Sequence, residues 1–185
     1  MSMEFPIHTP DTAPSPADET LKQVSENLGF IPNILGAFAE EPAMLEAYSA
    51  LDDLFGQTAL DDDQRLVVHM TASRLNGCGY CMAAHSTGAQ AGGVDQGLVE
   101  SLRTGAVLPD GRLEALRRFT EAVVQKHGNV SESDLDAFKN AGYGPRHAQA
   151  VVLGVAQKVL SNYVNHMVET PLDESFSANA WKAAE

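Results

Sequence analysis

Cysteine is nearly absent from this sequence of 185 residues, and basic and aromatic residues are also scarce. Both cysteines lie in one short stretch, so a disulfide between them cannot cross-link distant parts of the chain. Lysine and arginine together number 12 against 25 acidic residues, which gives a formal net charge of −13. Because this charge repels phosphates and anionic lipid surfaces, the composition excludes nucleic acid and membrane surfaces as partners.

Long apolar runs are also lacking. No stretch of about 18 consecutive apolar residues occurs, so we expect no segment that spans a membrane. The first residues, Met1–Pro6, contain neither the charged nor the apolar part of a secretory signal. We therefore expect a soluble cytoplasmic protein. In that reducing compartment, two cysteines separated by two residues are more often catalytic than structural.

The apolar residues that are present follow helical spacing, and no stretch alternates between apolar and polar residues as a strand would. Hydrophobic residues make up 44% of the chain, which is enough for a core. The sequence therefore predicts an all-α fold. We expect an extended, proline-rich arm over residues 1–17, a single all-helical domain over residues 18–170, and a polar tail over residues 171–185.

Start and stop signals indicate where several helices begin. Pro42 and the acidic run Asp61–Asp63 are typical of a first helical turn, and Ser131 begins a capping-box-like pattern. The last helix is the longest and should run roughly over residues 145–169. On it we expect His166 to point inward beside an apolar stripe made of Val152, Val155, Val159 and Tyr163.

Two other groups have simple structural interpretations. His69 lies among apolar residues, so we expect it to be a core histidine rather than a functional group. The adjacent charges Arg117–Arg118 are expected on a solvated face, and acidic clusters such as Asp61–Asp63 serve as helix-start charges.

The cysteine stretch carries the clearest chemistry, because Cys78, Cys81 and His85 follow one another within eight residues of helix-forming sequence. Residues at i and i+4 of a helix lie on the same face, so Cys81 and His85 should be neighbours. A break at Asn76–Gly77 puts both cysteines on the first turn, where the helix dipole favours the thiolate. His85 would act as a base towards Cys81 or as an imidazolium partner of its thiolate.

Other interpretations of the pair are weaker. Buried cysteines can be plain core residues, but the spacing and the histidine argue against this. Structural zinc normally takes four ligands, and the remaining histidines show no ligand spacing. A structural disulfide over so short a span would constrain the unfolded chain very little. The sequence predicts a thiol redox centre with no metal and no cofactor.

The stretch Leu75–His85 resembles the signature of the AhpD-like superfamily, which groups alkylhydroperoxidase D with the carboxymuconolactone decarboxylases. Residues 28–35 and 161–173 resemble peroxidase-related members. The resemblance implies an all-helical homo-oligomer (dimer, trimer or hexamer) that reduces peroxides through its dithiol. It assigns the peroxidatic role to Cys81, the resolving role to Cys78 and a place in the proton relay to His85. An external reductant of thioredoxin or lipoyl type would then reset the disulfide.

The sequence departs from the family pattern at one position. The family relay often includes a glutamate twelve residues before the first cysteine, and here that position is Leu66. His69 or His166 are the candidates for the missing proton acceptor.

The leading hypothesis is thus an alkylhydroperoxidase-like oxidoreductase of peroxiredoxin-type activity that acts on alkyl hydroperoxides or disulfides. One alternative is a cofactor-free lyase of the decarboxylase branch, although its members generally lack the paired cysteines and no arginine cluster appears here. The other is a redox sensor, which would oxidise once and not turn over.

Overall fold

The computed structural model describes residues 3–183, and within that range it contains α-helices, one 3₁₀ helix and no strand, so the all-α prediction is confirmed. None of the described helices is both long enough and apolar enough to cross a membrane. Residues 1–2 of the predicted arm and residues 184–185 of the predicted tail lie outside the described range. The helices are α1 (Ala17–Leu28), α2 (Asn33–Phe38), α3 (Pro42–Gly56), α4 (Asp62–Leu75), α5 (Gly79–Ala91), α6 (Gln96–Thr104), α7 (Gly111–Gln125), α8 (Glu132–Asn140), α9 (Pro145–Val168) and the 3₁₀ helix Glu174–Asn179.

Local sequence explains where the helices begin. Asp61 caps α4 by accepting a hydrogen bond from the backbone N–H of Gln64, whose side chain bonds back to Asp61. Ser131 and Asp134 form the same reciprocal pair at the start of α8. Pro42 occupies the first turn of α3, where its missing N–H costs nothing. These helix starts are where the sequence predicts them.

Helix α4 lies at the centre of the molecule and packs against α5, α6, α7 and α9. Its residues 67–73 are all buried, polar ones included. Helix α9 approaches α3 closely at Gly154, where an added Cβ would come within 2.6 Å of the Phe55 ring. Helix α4 is therefore enclosed by α5, α6, α7 and α9, and α3 packs on α9.

Both ends of the described chain pack onto this core. The backbone N–H of His8 donates to the carbonyl of Gly36 on α2 over 3.0 Å. The 3₁₀ helix, which the sequence did not predict, packs on α5, where Asn179 Nδ2 donates to Thr87 Oγ1 over 3.1 Å. Asp173 accepts a hydrogen bond from the hydroxyl of Tyr80 on the first turn of α5. The C-terminal segment thus fixes the outer side of α5.

The predicted orientation of α9 is wrong. Val152, Tyr163 and His166 are exposed, and Val155 and Val159 are only half-buried. The face that lies against the core is instead mainly polar, and its buried members are Ala150, Val151, Gly154, Gln157, Lys158, Ser161, Asn162 and Asn165. The apolar stripe of α9 does not mark its buried face, because most of the side chains that face the core are polar.

The expectation for Arg117 is also wrong. Its side chain is buried on α7, where Nε donates to Glu114 Oε2 over 2.7 Å. Arg118 does lie at the surface, as expected. Position in the sequence could not separate the two arginines, because only one of them points towards α4 and its neighbours.

Candidate functional site

The two cysteines sit at the start of α5. Cys78 is the residue that caps this helix, and its sulfur accepts a hydrogen bond from the backbone N–H of Cys81 at 3.4 Å. Both are free thiols, and both are buried, with 1% of Cys78 and 5% of Cys81 exposed. An unpaired helix N-terminus favours negative charge, so this position stabilises a thiolate.

Helix α9 provides the polar groups that face the sulfurs. Nδ2 of Asn165 donates to Sγ of Cys81 at 3.2 Å and lies 3.7 Å from Sγ of Cys78. Oγ of Ser161 lies 3.8 Å from Sγ of Cys81. Because one amide group reaches both sulfurs, the two thiols face the same side of α5. That arrangement is suited to closing a disulfide.

A buried lysine completes the inner face of α9. Lys158 is only 1% exposed, and its Nζ lies 3.0 Å from Nε2 of His85. Nζ also lies 5.7 Å from the centroid of the Tyr48 ring. No carboxylate in residues 3–183 forms an ion pair with it. An ammonium group so placed needs a negative neighbour, and the Cys81 thiolate can provide it.

The surroundings divide the two thiols into an acidic and a non-acidic one. The hydrogen bond from Cys78 and the positive charge of Lys158 outweigh the effect of burial and lower the pKa of Cys81 to about 6. The same hydrogen bond, together with burial, raises the pKa of Cys78 well above its usual range. At neutral pH, Cys81 is therefore the thiolate and Cys78 the thiol that donates to it.

Two histidines lie against this cluster in neutral form. The His69 ring stacks on Phe55 at 4.5 Å between centroids and contacts the His85 ring at 5.0 Å. Burial, and then the charge of Lys158, lower the pKa of both histidines well below the ordinary value. His85 therefore presents Nε2 as an acceptor for Lys158 and is not an imidazolium partner of the thiolate.

The structure brings some of the predicted residues together and separates others. Cys78 and Cys81 are adjacent, while His85 points to Lys158 rather than forming a hydrogen bond with Cys81 in the described structure. His69 is buried as expected but lies next to the site, with no hydrogen-bond partner for Nε2. His166 is on the outer face of α9, so it cannot supply the missing proton acceptor. Leu66 packs against the apolar core.

Sequence reasoning missed Lys158, Ser161 and Asn165. A signal for them was present, because polar residues at i, i+3 and i+7 mark one face of an otherwise apolar helix. Metal binding has no comparable support, since no cluster of histidine, cysteine and carboxylate side chains within residues 3–183 could hold an ion.

The fold and this site define an all-helical protein with a dithiol at a helix start. A family model for the carboxymuconolactone decarboxylase family matches residues 42–129. Among curated proteins, no sequence is significantly similar to this chain. The chain is similar in structure to a peroxidase-related protein with an alkylhydroperoxidase AhpD core from Ralstonia eutropha JMP134, at 21% identity and a TM-score of 0.83, with 94% of this chain and 93% of that chain covered.

Two further solved structures share the fold. A peroxidase-related protein from Silicibacter sp. TM1040 is 22% identical with a TM-score of 0.80, and the match covers 94% of this chain and 92% of that one. A cysteine-to-alanine variant of the debrominase Bmp8, in complex with 2,3,4-tribromopyrrole, is 16% identical with a TM-score of 0.78 and coverage of 97% and 96%. The chain shares the fold of these AhpD-core proteins, and its match to the carboxymuconolactone decarboxylase family over residues 42–129 is what the cysteine stretch predicts.

Proposed function

We propose that this protein is a thiol-dependent oxidoreductase that reduces alkyl hydroperoxides through Cys81 and Cys78. The observation that carries the proposal is the acidic, hydrogen-bonded Cys81 thiol, which has a second thiol beside it and a buried cation nearby. A thiolate is the nucleophilic form of cysteine, so this arrangement favours attack at neutral pH.

The reaction follows from the two unequal thiols. The Cys81 thiolate attacks the peroxide bond and becomes a sulfenic acid, with release of an alcohol. Cys78 then condenses with the sulfenic acid to form a disulfide and water. A dithiol reductant of thioredoxin or lipoyl type would restore the thiols. His85 belongs to the proton relay in this scheme as a neutral base in contact with Lys158.

The surroundings of the cysteines favour an organic peroxide. Half-buried apolar side chains pack against the cluster that contains both cysteines, and these include Met44, Tyr48 and Ala84. Such a lining gains from contact with an alkyl or aryl group, because burial of apolar surface is favourable. Hydrogen peroxide would lack this contribution.

Homo-oligomer formation is part of the proposal, and the outer face of α9 is the candidate contact. Val152, Tyr163 and Met167 are exposed apolar residues on this helix. At 3.6 residues per turn they fall within an arc of about 60°. Contiguous exposed apolar surface is typical of a protein contact. Light scattering of a Tyr163→Glu variant tests this, with exposed Leu135→Glu on α8 as the control; an unchanged subunit number would exclude this face.

Two other reactions have less support. A decarboxylating lyase needs several cations around the substrate carboxylates, but Lys158 is the one cation described beside the cysteines. Arg74, Arg103 and Arg117 are engaged with other partners. Reductive dehalogenation, named by the Bmp8 structure, would use the same thiolate on a carbon–halogen compound. It is distinguished from peroxide reduction only by the oxidant that the dithiol consumes.

The experiment adds one equivalent of an alkyl hydroperoxide to the reduced protein and follows thiol number and intact mass. We expect rapid loss of both thiols and an intramolecular disulfide, no reaction in Cys81→Ser, and a sulfenate that over-oxidises in Cys78→Ser. Turnover with dihydrolipoamide or reduced thioredoxin separates an enzyme from a sensor that oxidises once. Thiols that persist with the hydroperoxide but react with a bromopyrrole would replace peroxide reduction by dehalogenation.

A further inference from the structure

Lys158 is a buried cation without a carboxylate counter-charge among the described residues. Its side chain is almost completely buried. Burial of an unpaired ammonium group is costly, and buried lysines respond by losing their proton near or below neutral pH. The charged form of Lys158 therefore depends on a negative group that the site itself provides.

The groups that face Lys158 come from three helices. Tyr48 and Asp52 lie on α3, His69 on α4, and Cys81 and His85 on α5. Helix α2, which also packs on α9, has no titratable residue.

These groups differ in what they offer a buried cation. Burial raises the pKa of Tyr48, so its hydroxyl is neutral at neutral pH. Asp52 is exposed to solvent and accepts a hydrogen bond from Gln157 Nε2 at 2.7 Å, so its charge is screened by water. Both histidines are neutral. The Cys81 thiolate is the one buried anion among them, and it disappears when the disulfide forms.

We propose that Lys158 is the proton store of the dithiol: it is charged when Cys78 and Cys81 are reduced and neutral when they form a disulfide. This inference deepens the proposed function and rests on the redox role of the dithiol, but not on peroxide as its oxidant. It also supplies what the leucine at position 66 cannot, which is an ionisable group coupled to the reactive thiol.

The proton balance of peroxide reduction requires such a group. The Cys81 thiolate attacks the terminal oxygen, the O–O bond breaks, and the leaving alkoxide takes a proton from Lys158 to become the alcohol. The Cys78 sulfur then displaces hydroxide from the Cys81 sulfenic acid, and the hydroxide leaves with the Cys78 proton as water. Two electrons come from the two sulfurs, and two protons come from Lys158 and Cys78. Reduction by an external dithiol returns both.

His85 gives this proton a route to solvent. Its Nε2 lies 3.0 Å from Nζ of Lys158, and the residue as a whole is half-buried. With Nε2 as the acceptor, the proton of the neutral imidazole is on Nδ1. Exchange between Lys158 and water can then pass through the imidazole without opening the core.

The test counts protons during stoichiometric oxidation by diamide, an azo compound that accepts two electrons and two protons from any accessible dithiol. The reaction is run in weak buffer with a pH indicator at about pH 7.5, above the pKa of Cys81. If Lys158 gives up its proton, the wild-type protein takes none from solvent. If Lys158 stays charged, one proton per disulfide must come from solvent, and that result would overturn the proposal.

Lys158→Arg is the matched variant, because an arginine keeps the positive charge but cannot lose its proton. We expect it to take up one proton per disulfide formed, against none for the wild type. Ultraviolet absorbance of the thiolate before oxidation confirms that both proteins start from the same charge state. Should the variant not fold, the wild-type count alone decides, and because diamide replaces the peroxide, a protein without peroxidase activity can still support or refute the inference.

Discussion

Two buried cations on neighbouring helices have opposite environments. Arg117 on α7 is 7% exposed, and Glu114 accepts from its Nε at 2.7 Å and its Nη2 at 2.8 Å. Lys158 on α9 is more deeply buried, yet no carboxylate of the described residues pairs with it. The arginine carries its counter-charge on its own helix, whereas the lysine depends on a thiol of another helix.

Glu114, the acidic partner of Arg117, is held in its charged form by several hydrogen bonds. Burial alone would raise the pKa of Glu114, but hydrogen bonds from Arg117, Arg118 and the backbone N–H of Leu108 hold it at about 2. This carboxylate is charged at neutral pH and stays charged well below the pKa of an ordinary glutamate. An ion pair of this kind keeps its charges and stabilises the fold. The charge of Lys158, in contrast, depends on the Cys81 thiolate, which is lost when the dithiol is oxidised. Arg117 therefore has a structural charge, and Lys158 has a functional one.

The largest effect is expected on stability, from Glu114→Gln. This variant removes the charge that accepts hydrogen bonds from Arg117 and Arg118 and leaves the buried Arg117 with Glu121 as its counter-charge. The free energy of unfolding should therefore fall by about 2 kcal/mol. Denaturant unfolding measures this, with the surface variant Arg118→Gln changing it by less than about 1 kcal/mol. Cys81 alkylation at neutral pH should be unchanged; a large loss of thiol reactivity would show that the two regions are not separate.

The same variant predicts a pH dependence. The pKa of Glu114 is lowered on folding from 4.5 to about 2, so its contribution is complete above the higher value and is lost as pH falls towards the lower one. The stability difference between wild type and Glu114→Gln should therefore shrink over that interval. A difference that stayed constant down to the lower pKa would contradict the assignment.

Lys158→Met should change the reactivity of the Cys81 thiol and not lower the stability of the protein. Loss of the cation raises the pKa of Cys81, so alkylation by iodoacetamide at about pH 5, below the wild-type midpoint, should slow by about tenfold for each pKa unit gained. Stability should be unchanged or increased, since apolar replacement of a buried charge is often favourable. Exposed Lys139→Met is the matched control. A variant with wild-type alkylation rates would remove Lys158 from the site.

Asn165→Leu should have a smaller effect on the same thiol. It removes a hydrogen bond to a charged sulfur, worth about 1.5 kcal/mol, and so raises the pKa of Cys81 by about one unit. The pH profile of alkylation would shift to higher pH without a change in its plateau. Asn165→Asp sharpens the test, because a carboxylate beside the thiolate should shift the profile further.

His166→Ala should have almost no effect. The side chain lies on the exposed face of α9, so both stability and thiol reactivity should stay within about 0.5 kcal/mol of wild type. A clear loss of thiol reactivity would restore this histidine to the relay that the sequence suggested.

Much of the fold could be predicted from the sequence because local signals agree with it. The caps at Asp61 and Ser131 and the position of Cys78 and Cys81 on a first helical turn all depend on neighbouring residues. Which face of α9 is buried could not be predicted in this way. An apolar stripe normally faces the core, but here Lys158 and Asn165 do, because their partners are sulfurs on α5.

The charge states of the site residues could not be predicted from the sequence either. The i, i+4 spacing correctly placed Cys81 and His85 on one helix but left open whether His85 is a base or an imidazolium. Burial, and then the charge of Lys158, which is 73 residues away in the chain, lower its pKa and keep it neutral. Likewise, Arg117 and Arg118 are adjacent in sequence and differ only in which of them the fold encloses. Long-range contacts decide ionisation, and a single sequence does not contain them.

Cys81 is a thiolate at neutral pH in this site, where Asn165 donates a hydrogen bond to its sulfur and the charge of Lys158 lowers its pKa. The most direct measurement is a pH titration of the ultraviolet thiolate absorbance of the reduced protein, with Cys81→Ser as the blank. We expect one thiolate that appears with a midpoint of about 6 and is absent from the blank. Absorbance that rises only near the pKa of an ordinary free thiol, about 8.5, would contradict it.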